Sequence, residues 1–206
     1  MTNLSKTIAI LGVVAGLGVA ALPLSSYAAE STDGTPVSEN ATVKLTIDKK
    51  LSLTLDTAEA DLGDGSQTPA IKATVITNNS KGYTLKIAGS TSTGSVKTVL
   101  TSGVVKDDIV AASGTAGTPA ALAKTATASV WGYTVAGDDI TTGFKNATGD
   151  AKYAGVTESG EAIASKDAAT AATGNLTTIT FAADLLDNQA AGEYTGQVTF
   201  TASDNA

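Results

Sequence analysis

Apolar and polar residues alternate along several stretches of this chain, a pattern typical of β-strands that bury one face. The clearest stretches are residues 70–77, 82–88 and 129–135. Because successive side chains of a strand point to opposite faces, this alternation predicts strands with one buried and one solvated face. The same pattern predicts further strands at residues 42–47, 51–55, 176–182 and 193–202, and weaker ones at 96–100 and 104–110.

The number of these strands and the lack of sustained helical periodicity determine the predicted fold class. About seven to nine short strands predict an all-β protein, and more specifically an Ig-like antiparallel β-sandwich. The polar segment at residues 78–81, Asn-Asn-Ser-Lys, predicts a hairpin turn between two of the strands. Only the alanine-rich residues 119–127 favour a short helix.

Long segments rich in Gly, Ala and Thr separate the predicted strands, at residues 89–95, 111–128 and 136–175. They are too long for tight turns. Long loops on a rigid scaffold are a common place for binding sites, which is one interpretation of these segments. The other is that they are solvated surface without a binding role.

The N-terminus has the three parts of an export signal. Lys6 precedes an apolar stretch at residues 8–22, and Ser26, Tyr27 and Ala28 form a cleavage-like site with small residues at the two required positions. We therefore predict a signal peptide that is cleaved after Ala28. A transmembrane helix is the alternative, and the glycines and the proline that interrupt the apolar stretch disfavour it.

These observations predict three parts of the chain. The signal peptide occupies residues 1–28, a flexible arm rich in polar residues follows at 29–40, and the sandwich domain occupies 41–206. The predicted location is secreted, at the cell surface or in the cell wall. We expect no membrane partner after the signal peptide has been removed.

The composition removes the side chains on which most catalysis depends. The chain contains no His and no Cys, which excludes cysteine nucleophiles, histidine triads, and thiolate or imidazole metal sites. We therefore predict no enzymatic activity and no cofactor. All 13 basic residues are lysines and the net charge is -7, so nucleic acid is not an expected partner, since arginine forks bind phosphate best.

One acidic segment has the residue types of a calcium site. Asp56, Glu59, Asp61 and Asp64 fall within nine residues between two predicted strands, and calcium prefers carboxylate oxygens. Their spacing differs from that of an EF-hand. The alternative is a solvated acidic loop without a metal.

Stability without disulfides must come from packing or from another cross-link. Trp131 is in phase with Tyr133 and Val135, which predicts a buried core anchor more strongly than an exposed platform for sugars. A Lys–Asn isopeptide bond assisted by a buried acid, as in some pilins and adhesins, is an alternative brace. It needs a lysine at an inward-facing strand position, where lysine is costly to bury, and no spacing in the sequence identifies such a trio.

Two stretches of the sequence resemble WxL-like bacterial surface proteins. Residues 75–85, VITNNSKGYTL, resemble an internal motif of that family, and residues 191–202, AGEYTGQVTFTA, resemble its closing strand. The chain is also similar to small surface proteins of candidate-phylum bacteria. The positions that carry the likeness are Gly82, Tyr83, Trp131, Tyr133, Tyr194, Gly196 and Phe200.

The resemblance implies a sandwich fold and attachment to the cell wall. The chain departs from the family in its last strand, where the family's Trp-x-Leu reads Phe200-Thr201-Ala202. That departure weakens the implied binding to peptidoglycan.

We predict an exported cell-surface or cell-wall protein with a structural or adhesive role. Its expected partners are the cell wall, other surface proteins, a host or neighbouring cell, or further copies of itself. One alternative is a pilus or surface-layer subunit that assembles by strand addition, through an edge strand or through residues 30–40. Another is a carbohydrate-binding module.

Overall fold

The structure is a computed structural model, and it describes residues 34, 42–90, 98–104, 107–145 and 151–206. The predicted signal peptide, its cleavage site at Ala28 and most of the predicted arm lie outside these residues. The chain divides into two compact units, Met1–Thr46 and Ile47–Ala206. No helix in the described residues is long and apolar enough to cross a membrane.

The prediction of an all-β protein is confirmed. The described residues contain ten strands and, in α1 (Thr142–Lys145), one helical turn. Three of the strands have only two residues each, so seven form the body of the fold. In chain order the strands are β1 (Leu51–Leu55), β2 (Ala70–Thr77), β3 (Tyr83–Ser90), β4 (Val110–Ala111), β5 (Ala120–Ala121), β6 (Val130–Gly137), β7 (Lys152–Tyr153), β8 (Glu161–Lys166), β9 (Asn175–Asp184) and β10 (Gln197–Asp204).

The strands form three sheets that together curl into a half-barrel. The largest has the order β1-β2-β9-β6-β4, the second has the order β10-β3-β8, and the third pairs β5 with β7. Strand pairing is antiparallel except between β4 and β6. Because consecutive strands of the chain often belong to different sheets, most pairings join distant parts of the sequence.

One apolar core is shared by the two larger sheets. Its buried side chains alternate along β2 of the first sheet and along β3 of the second, as the period-two pattern requires, whereas in β8 the adjacent Ile163 and Ala164 are both buried. The largest of them are Tyr83, Tyr133, Leu85, Ile87, Ile163, Ile179 and Val75. Burial of this kind contributes most of the favourable free energy of folding.

A tyrosine and a glutamate meet at the edge of this core. Tyr133 Oη donates a hydrogen bond of 3.5 Å to Glu161 Oε2, which also accepts one of 2.8 Å from Ala116 N. Burial raises the pKa of the Tyr133 hydroxyl, and the negative charge of Glu161 raises it further. The hydroxyl is therefore held in its neutral form.

The predicted hairpin at residues 78–81 is wrong, although the turn itself is present. β2 pairs with β1 and β9, whereas β3 pairs with β8 and β10. The turn therefore carries the chain from one sheet to the other. The reason is that β2 and β3 each have one strongly apolar face, and both faces are buried in the same core.

Two further predictions of secondary structure are wrong. Residues 42–47 form no strand, because a single extended segment needs a neighbour to pair its backbone groups and has none in the described structure. Residues 119–127 form no helix, and Ala120–Ala121 instead pairs with Lys152–Tyr153. A high alanine content favours helix only weakly, and strand pairing overrides it here.

The segment predicted as a long loop at residues 136–175 is largely structured. It contains α1, β7 and β8, and it supplies Ile140, Phe144, Val156 and Ile163 to the core. This segment is thus a structural part of the fold where the structure describes it. The weaker strand predictions reduce to single bridges at Leu100 and Ile109 and to the short β4, and the last strand begins at Gln197, four residues later than predicted.

Candidate functional site

One side of the fold is open between two edge strands. β1 is an edge of the five-stranded sheet, β10 is an edge of the three-stranded sheet, and the two strands contact each other. Their inward-facing side chains pack against the core but stay partly exposed. These side chains are Leu51, Leu53, Leu55, Val198, Phe200 and Ala202. A partly exposed apolar stripe therefore lies along the edge strand of each sheet.

The open side leads into a groove of about 1120 Å³ at the end of β1 and the start of β10. Its floor is formed by apolar side chains of the core. The chief ones are Leu55, Ile71, Leu100, Ile109, Trp131, Phe181, Val198 and Phe200. A concave apolar surface of this size is typical of a site that takes a ligand or a peptide segment.

Trp131 is fixed in the floor of the groove. Its ring stacks on that of Phe181 with the centroids 6.4 Å apart, and its Nε1 donates a hydrogen bond of 3.1 Å to Thr98 O. The side chain is only 4% exposed, so the prediction of a buried core anchor is confirmed. The indole therefore presents no open face on which a sugar ring could stack.

The rim of the groove is acidic. Two loops, at residues 58–65 and 185–196, form much of it. Among the lining residues that the structure describes there are five carboxylates and no lysine, and Lys124 Nζ, from outside the lining, pairs with Asp187 Oδ1 at 3.1 Å. The carboxylates belong to Glu59, Asp61, Asp64, Asp187 and Glu193. A rim of one charge attracts segments of the opposite charge.

Hydrogen bonds hold the rim loop at residues 185–196 in place. Tyr194 Oη donates to Ala190 O and accepts from Gln189 Nε2, both at 2.8 Å. Gln189 in turn is anchored to the body of the fold, because its Oε1 accepts a hydrogen bond from Ser129 Oγ. This part of the groove is therefore formed before any partner binds.

The four carboxylates predicted as a calcium site do not converge. In the described part of the chain, no group of three or more acidic side chains could hold a metal ion. Asp56, Asp61 and Asp64 instead accept hydrogen bonds from backbone N–H groups near them in the structure. Hydrogen bonds from the Ser66 side chain and backbone lower the pKa of the exposed Asp64.

The end of the fold opposite the groove is closed by polar side chains. Asn79 is buried, and its Nδ2 donates hydrogen bonds to Gly82 O at 3.1 Å and to Asn205 O at 2.9 Å. Asn205 Nδ2 donates to Lys166 O at 3.0 Å and to Lys81 O at 2.9 Å. These bonds tie the β2–β3 turn to the end of β10 and to β8.

The segment that precedes β1 leaves the fold at this closed end. Lys50 N donates a hydrogen bond of 2.7 Å to Asn78 Oδ1, in the β2–β3 turn. β1 then runs from Leu51, beside this turn, to Leu55, in the groove. Lys50 and the groove are therefore at opposite ends of the same edge strand.

Residues 42–50 have the sequence of a strand that lacks a partner. Val43, Leu45 and Ile47 are 94%, 81% and 74% exposed, and polar residues alternate with them. In an extended conformation these three side chains share one face. The segment carries three lysines and one aspartate, which gives it a net charge of +2. We call residues 42–50 the basic segment.

The structure divides the seven residues of the family resemblance into three places. Gly82 and Tyr83 lie in and after the turn at the closed end, and Tyr133 lies in the core. The remaining four are brought together around the groove. They are Trp131, Tyr194, Gly196 and Phe200.

Several residues of the groove were not predicted as site residues. Leu100, Ile109 and Phe181 form part of the floor, and in the sequence they are ordinary apolar residues of separate segments. The signal available for Phe181 is its position in the strongly alternating pattern of β9. For the other two, no local signal distinguishes a groove residue from a core residue.

Comparisons with protein-family models, with curated proteins and with solved structures found no match to this chain.

Proposed function

We propose that this chain is an exported structural protein of the bacterial cell surface, associated with the wall or adhesive, and without a catalytic role. The observation that carries the proposal is the preformed apolar groove with an acidic rim. Grooves with an apolar floor and polar groups at the rim are typical places for a ligand or a peptide segment to bind. The export pattern of residues 1–28 and the absence of His and Cys support the same function.

The finer architecture that we propose is a β-sandwich. Its layers are the five-stranded and the three-stranded sheet, and the side chains buried between them form a single core. In a sandwich the side chains of both inner faces interdigitate. The passage of the chain from β2 in one sheet directly to β3 in the other supports this arrangement.

The resemblance to WxL-like surface proteins supports attachment to the cell wall. Four of its seven positions line the groove, which makes the groove the candidate for that attachment. The loss of the family's Trp-x-Leu at Phe200-Thr201-Ala202 favours a protein partner over peptidoglycan itself.

The location can be tested on the native host with an antibody against the folded chain. We expect the antigen in the wall and medium fractions, with an N-terminus at residue 29 by mass spectrometry. Brief protease treatment of intact cells should remove the wall-bound antigen while a cytoplasmic marker is retained. Antigen that stays in the cytoplasm with residues 1–28 attached would contradict the proposal.

A second candidate function is assembly by strand addition, as in a pilus or a surface layer. In this mode an extended segment adds to a sheet edge, and alternate side chains fill apolar pockets. The basic segment has three alternating apolar side chains that are exposed, and the open edge between β1 and β10 has the apolar surface that would cover them. The apolar side chains of the basic segment and the apolar surface between β1 and β10 would therefore cover each other.

Charge and position favour a second copy of the chain as the partner. The basic segment is positively charged, whereas the groove has five carboxylates on its rim, so the two attract each other. Because Lys50, the last residue of the basic segment, and the groove lie at opposite ends of β1, a contact between copies would be head to tail. Contacts of this type generate filaments or rings instead of closed pairs.

Assembly can be tested by comparing two substitutions on adjacent residues of the exported chain. Leu45→Asp places a charge on the apolar face of the basic segment, and Thr46→Asp places the same charge on its polar face. We expect the wild type and Thr46→Asp to form oligomers that grow with concentration in light scattering. Leu45→Asp should remain monomeric.

Three outcomes would contradict assembly by strand addition. They are a wild type that stays monomeric at high concentration, equal behaviour of the two variants, and protection of residues 43–47 from hydrogen exchange in the monomer. The last would mean that the segment pairs within its own chain. Circular dichroism of each variant checks that the fold is retained.

A further inference from the structure

Three side chains with complementary chemistry meet beside the closed end of the fold. Lys166 is the last residue of β8, Asn175 is the first residue of β9, and Asp139 lies in the turn after β6. Lys166 Nζ is 3.3 Å from Asp139 Oδ1 and 3.4 Å from Oδ2. Asn175 Nδ2 donates a hydrogen bond to the same Oδ2. An amine and a carboxamide therefore contact one carboxylate oxygen.

Backbone pairing holds the three residues in place. Ser165 N donates a hydrogen bond of 2.8 Å to Asp139 O, which attaches the turn to β8. Asn175 pairs with Val75 in the five-stranded sheet, and Lys166 pairs with Tyr83 in the three-stranded sheet. The cluster thus spans the two larger sheets at a fixed geometry.

The surroundings of the cluster are partly dry. The side chains of Lys166 and Asp139 are 30% and 20% exposed, and Tyr83 beside them is fully buried. The Tyr83 hydroxyl has no hydrogen-bond partner. Burial raises its pKa, the proximity of Asn175 opposes that rise, and the charge of Asp139 adds to it. A neutral hydroxyl therefore lies next to Asn175 and Asp139.

We propose that Lys166 Nζ and Asn175 Cγ become joined by an isopeptide bond, with Asp139 as the proton carrier. The reaction needs an amine and a carboxamide beside one acid–base group, and the structure places Lys166 and Asn175 each in contact with Asp139. It needs no oxidant and no enzyme. The proposal is independent of the proposed function, because it concerns a cross-link within one chain.

The protons and bonds of the reaction balance. Asp139 first takes a proton from the Lys166 ammonium group, and the neutral amine attacks Asn175 Cγ. The C–N bond to Asn175 Nδ2 then breaks. Two protons of the original ammonium group pass through Asp139 to this nitrogen, which leaves as an ammonium ion. The third stays on the new amide, and Asp139 ends as the carboxylate it was at the start.

The bond would link the sheet containing β8 to the sheet containing β9. An amide at this position is as resistant to water and reductants as the backbone. A chain without cysteines would thereby have a covalent brace that works in any redox environment. The brace also lies at the closed end, where Asn205 Nδ2 donates a hydrogen bond to Lys166 O, so it would strengthen that end and leave the groove unchanged.

The intact mass of the purified exported chain is the first test. Formation of the bond releases ammonia, so we expect a mass about 17 Da below that of the processed sequence. A mass equal to that of the sequence would overturn the proposal, whatever the behaviour of any variant.

Digestion with trypsin of the denatured chain identifies the residues. No lysine or arginine follows Lys166, and trypsin does not cleave after an acylated lysine. The cross-linked chain should therefore give one peptide of residues 153–206, lacking one ammonia. Separate peptides 153–166 and 167–206 would overturn the proposal even if ammonia has been lost, because a cyclic imide at Asn175 leaves Lys166 cleavable.

Two variants test the roles of Lys166 and Asp139, and a third variant is the control. Lys166→Arg and Asp139→Asn should both give the full sequence mass, the first because the attacking amine is gone and the second because the proton carrier is gone. Lys86→Arg, an exposed lysine on β3, should keep the cross-link. Retention of the cross-link in Lys166→Arg or Asp139→Asn, or its loss in Lys86→Arg, would overturn the assignment.

Discussion

The two ends of the edge strand β1 are built in opposite ways. At its start, the buried Asn79, the positive φ of Gly82 and the amide of Asn205 form a closed polar network in which side chains satisfy the backbone of three strands. At its end, the side chains around the groove are apolar, and several of those on β1 and β10 are half-exposed. One end is closed by paired polar groups, and the other keeps partly exposed apolar side chains.

This difference affects the free energy of folding, because exposed apolar surface contributes less to it than buried apolar surface does. Apolar surface left in water forgoes about 25 cal/mol for each Å² that burial would gain, and single domains are stable by only about 5–15 kcal/mol. Covering the apolar part of the groove would therefore add to the stability of the chain.

The largest effect is expected from breaking the closed end at Gly82. Its φ is +78°, and a Cβ added there would lie 1.8 Å from Lys166 O. We expect Gly82→Ala to destabilise the fold by more than about 4 kcal/mol, an effect reserved for severe mechanisms. Urea unfolding measures the change.

A second glycine provides the control for this substitution. A Cβ at Gly103 would meet nothing within 4 Å, so Gly103→Ala should change stability by less than about 0.5 kcal/mol. Similar costs for the two variants would mean that the turn is not the constrained element described above.

A matched pair of leucines compares the core with the open edge. Leu85 on β3 is fully buried, whereas Leu53 on β1 is partly exposed. We expect Leu85→Ala to cost about 2–5 kcal/mol and Leu53→Ala less than half of that, because the lost burial and the cavity are both smaller. Equal costs in urea unfolding of the monomer would show that the edge is as well covered as the core.

A smaller effect is expected from the polar network. Asn79→Ala leaves the carbonyl groups of Gly82 and Asn205 without this donor and should cost about 1–3 kcal/mol. Ser80→Ala, at the exposed neighbouring position, is the control and should be nearly neutral. If both variants unfold at the wild-type temperature, the network does not stabilise the closed end.

The smallest expected effect is a loss of stability at alkaline pH that is caused by the buried Tyr133. The pKa of Tyr133 is raised from its ordinary value near 10 by burial and by Glu161. The unfolded chain loses this proton first, so stability should fall as the pH rises above about 10 and continue to fall up to the raised pKa. Urea midpoints across this range should decline less in Tyr133→Phe, and an equal decline would contradict the assignment.

Local patterns predicted the strands whose sequences alternate strongly. The bounds of β2 are those predicted, and β6 and β9 lie close to their predicted positions, because β-branched and aromatic residues recur there at every second position. β8 was missed because its apolar residues are mainly alanines, which favour strands weakly. Residues 42–47 have the strongest type of pattern and yet form no strand, because pairing depends on a neighbour.

The sites were less predictable than the strands, since they depend on pairings between distant segments. The turn at residues 78–81 was predicted from its composition, but its passage between two sheets was not, because hairpin and crossover have the same local sequence. The trio of Asp139, Lys166 and Asn175 likewise comes together only in the folded chain. Lys166 is placed by the pairing of β8 with β3, and Asn175 is placed by the pairing of β9 with β2.

The contrast between the closed end and the groove is tested most directly by a disulfide between two different variants. The chain has no cysteine, so Leu45→Cys in one copy and Phe200→Cys in another are the only thiols in a mixture. Under mild oxidation we expect the mixed dimer to form faster than either homodimer, and faster than the mixed dimer of Thr46→Cys with Phe200→Cys. Equal rates for the two mixed pairs would contradict the account that the groove of one copy receives the basic segment of the next.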